Sequence, residues 1–108
     1  MTLITLGFNI HRDPILNNQR HRGDIPAIFR GEFVKGLDGQ IQQRAREKLK
    51  YLDSAGDLRD LMIPPSNRLE ALKSDRKGQY SIRINQQWRI CFKWDNGDAS
   101  DVEITDYH

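Results

Sequence analysis

Only one cysteine occurs in the 108 residues. Cys91 by itself cannot close an internal disulfide or supply a multi-cysteine zinc site, and its place in an apolar, alternating stretch reads as a small buried hydrophobe. Long hydrophobic runs are also missing. The first apolar patch, Leu3 to Phe8, gives way to His11, Arg12 and Asp13, which makes it too short for a membrane span and too soon polar for a secretion signal. A cytoplasmic location without a membrane partner is expected. Charge of one sign is scarce: 17 Lys and Arg stand against 15 Asp and Glu, for a net charge of +2 and a pI of about 8.9. So weak an excess suits a nucleic-acid ligand and many unrelated soluble domains alike. His11 and His21 have no spacing to carboxylates or to Cys91 that builds a metal site, so neither a metal nor a cofactor is expected. Internal repeats and low-complexity segments are absent too, which argues against solenoid and fibrous classes.

What is present suffices for a modest core. Hydrophobic residues make up 37% and charged residues 30%, and a chain of this length reads as one domain over 1–108. Its first half has helical periodicity and its second half is rich in strands, which predicts an α+β fold. Within residues 1–19, Leu3 to Phe8 and Ile15 with Leu16 are alternative edge strands on either side of Asp13-Pro14. Asp24 is placed as the N-cap of a short helix running to about Gly31, with Pro26 tolerated in the first turn. A longer helix opens at Asp38 or Gly39 and ends near Gly56; Ile41, Ala45, Leu49 and Leu52 share its inward face, while Gln42, Arg46, Lys50 and Asp53 face elsewhere. The basic run Arg44, Arg46, Lys48 and Lys50 reads as the solvated arc of this helix.

After Pro64-Pro65 the period changes to two, and four strands are predicted over 68–73, 80–84, 88–94 and 99–107, forming an antiparallel meander. If Tyr80, Ile82 and Ile84 face the core, period-two alternation requires Trp88, Ile90, Phe92 and Trp94 to do the same, with a turn at Asn85, Gln86 and Gln87. Ile84 then meets Trp88, Ile82 meets Ile90, and Arg83 lies across from Arg89 on the other face. Like charges opposed on a sheet are unfavourable by up to about 1 kcal/mol. The pair therefore reads either as an anion cradle suited to phosphate or as charges satisfied by Asp101, Glu103 or Glu70. A three-residue loop Asn96-Gly97-Asp98 would align Phe92 with Val102 and Ile90 with Ile104, bringing Thr105 beside Arg89 and Tyr107 onto the same face.

Three stretches carry a family resemblance: Pro65-Ser66-Asn67-Arg68-Leu69-Glu70-Ala71-Leu72-Lys73, then the run from Gly78 to Phe92, and the terminal Val102-Glu103-Ile104-Thr105-Asp106-Tyr107-His108. Together with Leu49 to Ala55 and Asp57 to Leu61, they resemble the HigB-type toxins of the RelE/ParE superfamily over about residues 20–108. The resemblance implies two N-terminal helices packed on a small, mainly antiparallel sheet. It implies a metal-free endoribonuclease that cuts messenger RNA on the ribosome. It also implies a HigA-type helix-turn-helix antitoxin as partner, through which alone operator DNA would be bound. By the same resemblance the catalytic positions fall at Lys73, Arg89, Asp106, Tyr107 and His108, while Arg68, with Asn67 and Glu70 beside it in the motif, is assigned to RNA binding; Arg83 joins them from the register argument. Glu70 departs from the pattern, since some members carry histidine there. It could serve as a base or pair with Arg68.

Cleavage of RNA by its own 2′-hydroxyl needs a base, cations at the pentavalent phosphate and an acid for the departing 5′-oxygen. His108 is the preferred proton-transfer group because an imidazole titrates near neutral pH, with Lys73 or Asp106 as competing bases and Tyr107 available for stacking or for holding the phosphate. Two other functions stay open: a ParE-like gyrase inhibitor that uses the scaffold for protein binding, and a catalytically inactive antitoxin-binding module.

Overall fold

The computed structural model describes residues 3–5 and 24–106. In chain order the elements are strand β1 (Leu3–Thr5), helices α1 (Asp24–Arg30) and α2 (Gly39–Ser54), and strands β2 (Glu70–Ala71), β3 (Gln79–Arg83), β4 (Trp88–Asp95) and β5 (Asp98–Asp106). The strands make one sheet in the order β1-β5-β4-β3-β2, with each neighbouring pair antiparallel. The architecture is α+β, with both helices preceding four of these strands. Of the two apolar patches near the start, the first supplies the edge strand, Leu3 pairing with Thr105 and Thr5 with Glu103. Ile15 and Leu16 lie outside the described residues. Among the described residues no helix is long and apolar enough to cross a membrane.

Asp24 begins α1 as a helical residue rather than standing before it as a cap. The helix ends where Gly31 takes a positive φ of 87°, a conformation that costs glycine little because it has no Cβ. Asp38 caps α2, its carboxylate accepting from the backbone N–H of Gln40 at 3.0 Å and of Ile41 at 3.3 Å. Those donors would otherwise have no partner in the first turn. Ala45, Leu49 and Leu52 are buried as the periodicity predicts, but Ile41 is only half-buried and Gln42 is buried instead. The Gln42 carboxamide explains its place: it donates to the carbonyls of Val34 and Leu37, both at 2.6 Å, and accepts from Val34 N–H at 2.8 Å. A polar side chain thus ties the connection between the helices to α2.

The β3–β4 hairpin has the expected register, with Ile82 opposite Ile90 and Arg83 opposite Arg89. Its turn is held by Asn85, whose side-chain oxygen accepts from Gln87 N–H and Trp88 N–H, each at 2.8 Å. Two strand expectations need correction. Only Glu70 and Ala71 of the 68–73 segment pair with β3, because Arg68 (φ 46°) and Ser74 (φ 60°) leave the extended region on either side. The β4–β5 loop is the two-residue Asn96-Gly97 turn, with both φ values positive (51° and 82°), the conformation such hairpins favour. It pairs Asp95 with Asp98 and Trp94 with Ala99; a register shift between Cys91 and Lys93 then restores the expected Ile90–Ile104 and Arg89–Thr105 pairs. Asp101, at φ 49°, lies in this irregular stretch.

Ile82, Ile84, Trp88, Ile90, Phe92, Val102 and Ile104 pack on Ile25, Ile28, Ala45, Leu49 and Leu52 as one apolar core. The other face of the sheet is covered as well: Ser81, Arg89, Cys91, Glu103 and Thr105 are all buried. Arg89 therefore does not sit on an open solvent face, whereas Arg83 is half-buried.

Candidate functional site

Arg89 is the centre of the site. It is 8% exposed, and its guanidinium is tied along one edge. Nε donates to Ser81 Oγ at 2.8 Å, and Nη2 donates to the Arg68 carbonyl at 2.6 Å and to the Ser81 carbonyl at 3.4 Å. Ser81 is on this face because it lies two residues from Arg83, and the strand alternates. Glu70, the rung partner of Ser81 on β2, brings a carboxylate oxygen to 3.9 Å from Arg89 Nη2 while remaining 57% exposed. Of the carboxylates considered as partners for the opposed arginines, Glu70 is the one that approaches Arg89. Three of the guanidinium's hydrogen bonds go to neutral protein oxygens, and Glu70 supplies a partly exposed, longer-range ion pair. The Arg89 Nη1 group makes no hydrogen bond among the described residues.

The opposed arginines are kept apart by separate anchors. Arg83 turns to its own turn and donates from Nε to the Asn85 carbonyl at 3.0 Å. Two of the three carboxylates considered as partners for these arginines are occupied elsewhere, Glu103 by Arg76 and Asp101 by Lys93. Thr105, on the Arg89 rung, is 1% exposed, and its hydroxyl oxygen has no hydrogen-bond partner among the described residues.

Arg68 and Asn67 follow a short 3-10 turn over Pro65–Asn67. The positive φ of Arg68 swings its exposed side chain outward while its carbonyl receives Arg89. Asn67 departs from the sequence expectation. It is fully buried, donating to the Leu61 carbonyl at 3.1 Å and the Ile63 carbonyl at 3.4 Å and accepting from Lys48 Nζ at 2.6 Å. It has no surface to offer RNA and instead holds the loop that presents Arg68. Partial burial pushes the Lys48 ammonium below its ordinary pKa, opposed by the nearby Glu47 carboxylate.

The remaining predicted residues are spread out. Lys73 is exposed beyond the end of β2, toward the end of β3 remote from Arg83, so nothing joins it directly to Arg89. Asp106 is buried next to Trp88 in register and accepts from Gln87 Nε2 at 3.0 Å. Alternation puts it on the helix-facing side of the sheet, at the same end as Arg89 but across the sheet plane. Tyr107 and His108, like His11 and His21, lie outside the described residues. Among the described residues no group of three His, Cys, Asp or Glu side chains could hold a metal ion.

An open cleft of about 920 Å³ lies between α2, the Pro64–Arg68 turn and the β3–β4 turn. Arg68 and Arg83 belong both to this cleft and to the surroundings of Arg89. Arg44, Lys48 and Tyr51 form its helical wall. The basic run on α2 therefore divides: Arg44 and Lys48 face the cleft, Arg46 donates to the Phe29 carbonyl at 3.2 Å, and Lys50 is exposed elsewhere. Sequence reasoning missed Ser81, Gln87, Lys48 and Tyr51 as site residues. The alternation that located Arg83 already put Ser81 on its face, and the four-residue spacing of Arg44 and Lys48 already put them on one side of the helix.

The chain is similar to two toxins along most of the part described above. It is 31% identical over 94 residues to the protein named Endoribonuclease HigB of Proteus vulgaris, an alignment covering 87% of this chain and 100% of that protein. It is 43% identical over 63 residues to Toxin HigB-1 of Vibrio cholerae serotype O1, covering 58% of this chain and 66% of that protein. Residues 29–108 match a family described as the RelE-like toxin of type II toxin-antitoxin system HigB. That span takes in α2, both arginines and the terminal Asp106-Tyr107-His108, so this chain belongs to the HigB-like family of toxins of type II toxin-antitoxin systems.

Proposed function

We propose that the chain is an endoribonuclease that cuts messenger RNA on the ribosome, without a metal, by attack of a 2′-hydroxyl on the adjacent phosphodiester. The observation that carries this reading is Arg89: a buried guanidinium, held along one edge by Ser81 and the Arg68 carbonyl, with Nη1 left for an anion. Burying a cation is unfavourable unless something offsets it, and three hydrogen bonds to neutral groups preserve its charge for a phosphate. The name of the Proteus vulgaris relative supports the same activity.

In this mechanism a base removes the 2′-hydroxyl proton, the 2′-oxygen bonds to phosphorus, and the bond from phosphorus to the 5′-oxygen breaks as an acid protonates that oxygen. The products are a 2′,3′-cyclic phosphate and a 5′-hydroxyl. Arg89 stabilises the extra negative charge of the pentavalent state, with Arg83 and Arg68 beside it. His108 is the preferred group for exchanging the protons, with Lys73 or Asp106 as a competing base, and Tyr107 holds the nucleotide. Glu70, 3.9 Å from Arg89, orients that guanidinium before RNA enters. Asn67 acts from beneath the loop as a positioning residue. The partner is a HigA-type antitoxin that restrains the toxin in the cytoplasm and alone contacts operator DNA, and residues 1–108 act as one domain.

The test is to incubate the purified protein with translating ribosomes and map transcript ends. Discrete new ends carrying a 5′-hydroxyl, matched by upstream fragments ending in a 2′,3′-cyclic phosphate, are the expected result. Transcripts left intact between about pH 6 and 9, a range that brackets histidine titration, would contradict the proposal.

A further inference from the structure

The cleft between α2 and the β3–β4 turn has a composition that the cleavage reaction alone does not require. Its charged lining residues are Arg44, Lys48, Arg68 and Arg83 against the single carboxylate of Glu47, although the whole chain carries a net charge of only +2. Four cations around one open groove repel one another, and an arrangement of this kind is stabilised by an anionic occupant. The groove also contains Tyr51, whose residue surface is 42% exposed. Lys48 Nζ stands 5.4 Å from the Tyr51 ring centroid and is fixed there by its hydrogen bond to the buried Asn67. The ring is therefore braced from within the protein while much of it faces solvent.

We propose that this cleft is a track for the single-stranded RNA flanking the cut, with one base stacked on Tyr51 and its phosphates neutralised by Arg44, Arg68 and Arg83. An exposed aromatic platform combined with spaced cations along a groove is the physical basis of sequence-tolerant single-strand binding. Continuity supports the assignment. Arg68 and Arg83 line the groove, and the Arg68 carbonyl accepts from Arg89, so the loop that carries Arg68 is shared by the groove and the Arg89 site. The inference deepens the nuclease reading by giving the same substrate a second point of attachment, remote from the reacting phosphate.

The experiment measures fluorescence anisotropy of a labelled, fully 2′-O-methylated single-stranded RNA, which cannot be cut, against the full-length protein over a range of salt concentrations. Tyr51→Ala should weaken binding by about five-fold or more, and Tyr51→Phe should stay within about two-fold of wild type, because the stacking face is retained. Arg44→Ala should lower the slope of log affinity against log salt by about 0.7, the value for one phosphate contact on a single strand. Lys50→Ala removes the same charge from α2 outside the cleft and should leave the slope unchanged. Thermal melts of each variant separate lost contacts from lost folding, and the exposed Arg44 site keeps the test decisive if Tyr51→Ala proves unstable.

Wild-type protein without salt-dependent binding would overturn the proposal, as would identical behaviour of Arg44→Ala and Lys50→Ala. Unchanged RNA affinity combined with loss of antitoxin binding would assign the cleft to a protein and likewise overturn it. The two readings fail separately. Cleft-dependent binding by a protein that leaves transcripts uncut removes the nuclease reading and keeps the track; full cutting by variants with unaltered affinity does the reverse.

Discussion

Asn67 and Arg89 illustrate how one side chain can set another in place without touching the substrate. Asn67 spends its amide on two backbone carbonyls and its oxygen on Lys48, and the next residue turns through positive φ to offer its carbonyl to Arg89. Replacing Asn67 with alanine leaves buried acceptors without donors, for which about 1–3 kcal/mol each is typical. Urea unfolding of Asn67→Ala should therefore show a loss of at least about 1 kcal/mol, and an unfolding midpoint equal to wild type would refute the positioning role. The Arg83 to Arg89 rung was legible in the sequence because a hairpin's register follows from period-two alternation and turn length. The burial of Asn67 was not legible, since it depends on Lys48 arriving from a helix 19 residues earlier. Nor did the sequence separate a charge pair from a cradle. Ser81 and the Arg68 carbonyl hold Arg89 and Glu70 approaches it at 3.9 Å, while Glu103 and Asp101 are engaged by other cations, none of which follows from strand alternation.

At the scale of elements, α2 does most to shape the site. Its inward face anchors the core through Ala45, Leu49 and Leu52, and the adjoining flank supplies Arg44, Lys48 and Tyr51 to the cleft. The start of the helix sets the rotation of that face, and Asp38 determines the start. Asp38→Ala should cost about 1 kcal/mol, the usual loss for an N-cap carboxylate, measured by thermal or urea unfolding. A stability unchanged within a few tenths of a kcal/mol would show that tertiary packing, not the cap, sets the helix boundary. Helix limits were readable to within about two residues: Asp38 and Gly31 mark two of them, whereas Asp24 is helical and α2 ends at Ser54, before Gly56. Gln42 was misplaced because polar residues are assigned to solvent by default, whereas this one satisfies the backbone of the 34–37 segment. The β4–β5 loop was misjudged by one residue because a register shift hidden in the strand compensates for the shorter turn.

At the scale of the molecule, the end of the sheet at the β3–β4 turn gathers the relevant chemistry. Arg83 and Arg89 stand on one face, Asp106 on the other, and the cleft opens beside them toward α2. A net charge near zero concealed this, because acidic residues such as Glu103 and Asp101 neutralise cations elsewhere while the cleft keeps its own. The account rests on Arg89 stabilising charge that develops during cleavage rather than simply attracting RNA. Single-turnover cleavage of messenger RNA on programmed ribosomes, comparing wild type with Arg89→Ala, tests it most directly. The predicted result is a drop of about 100-fold or more in the rate of cutting, the scale set by losing one transition-state donor, with affinity for the ribosomal complex kept within a few-fold. A variant that cuts at the wild-type rate once bound, and is impaired only in affinity, would contradict it.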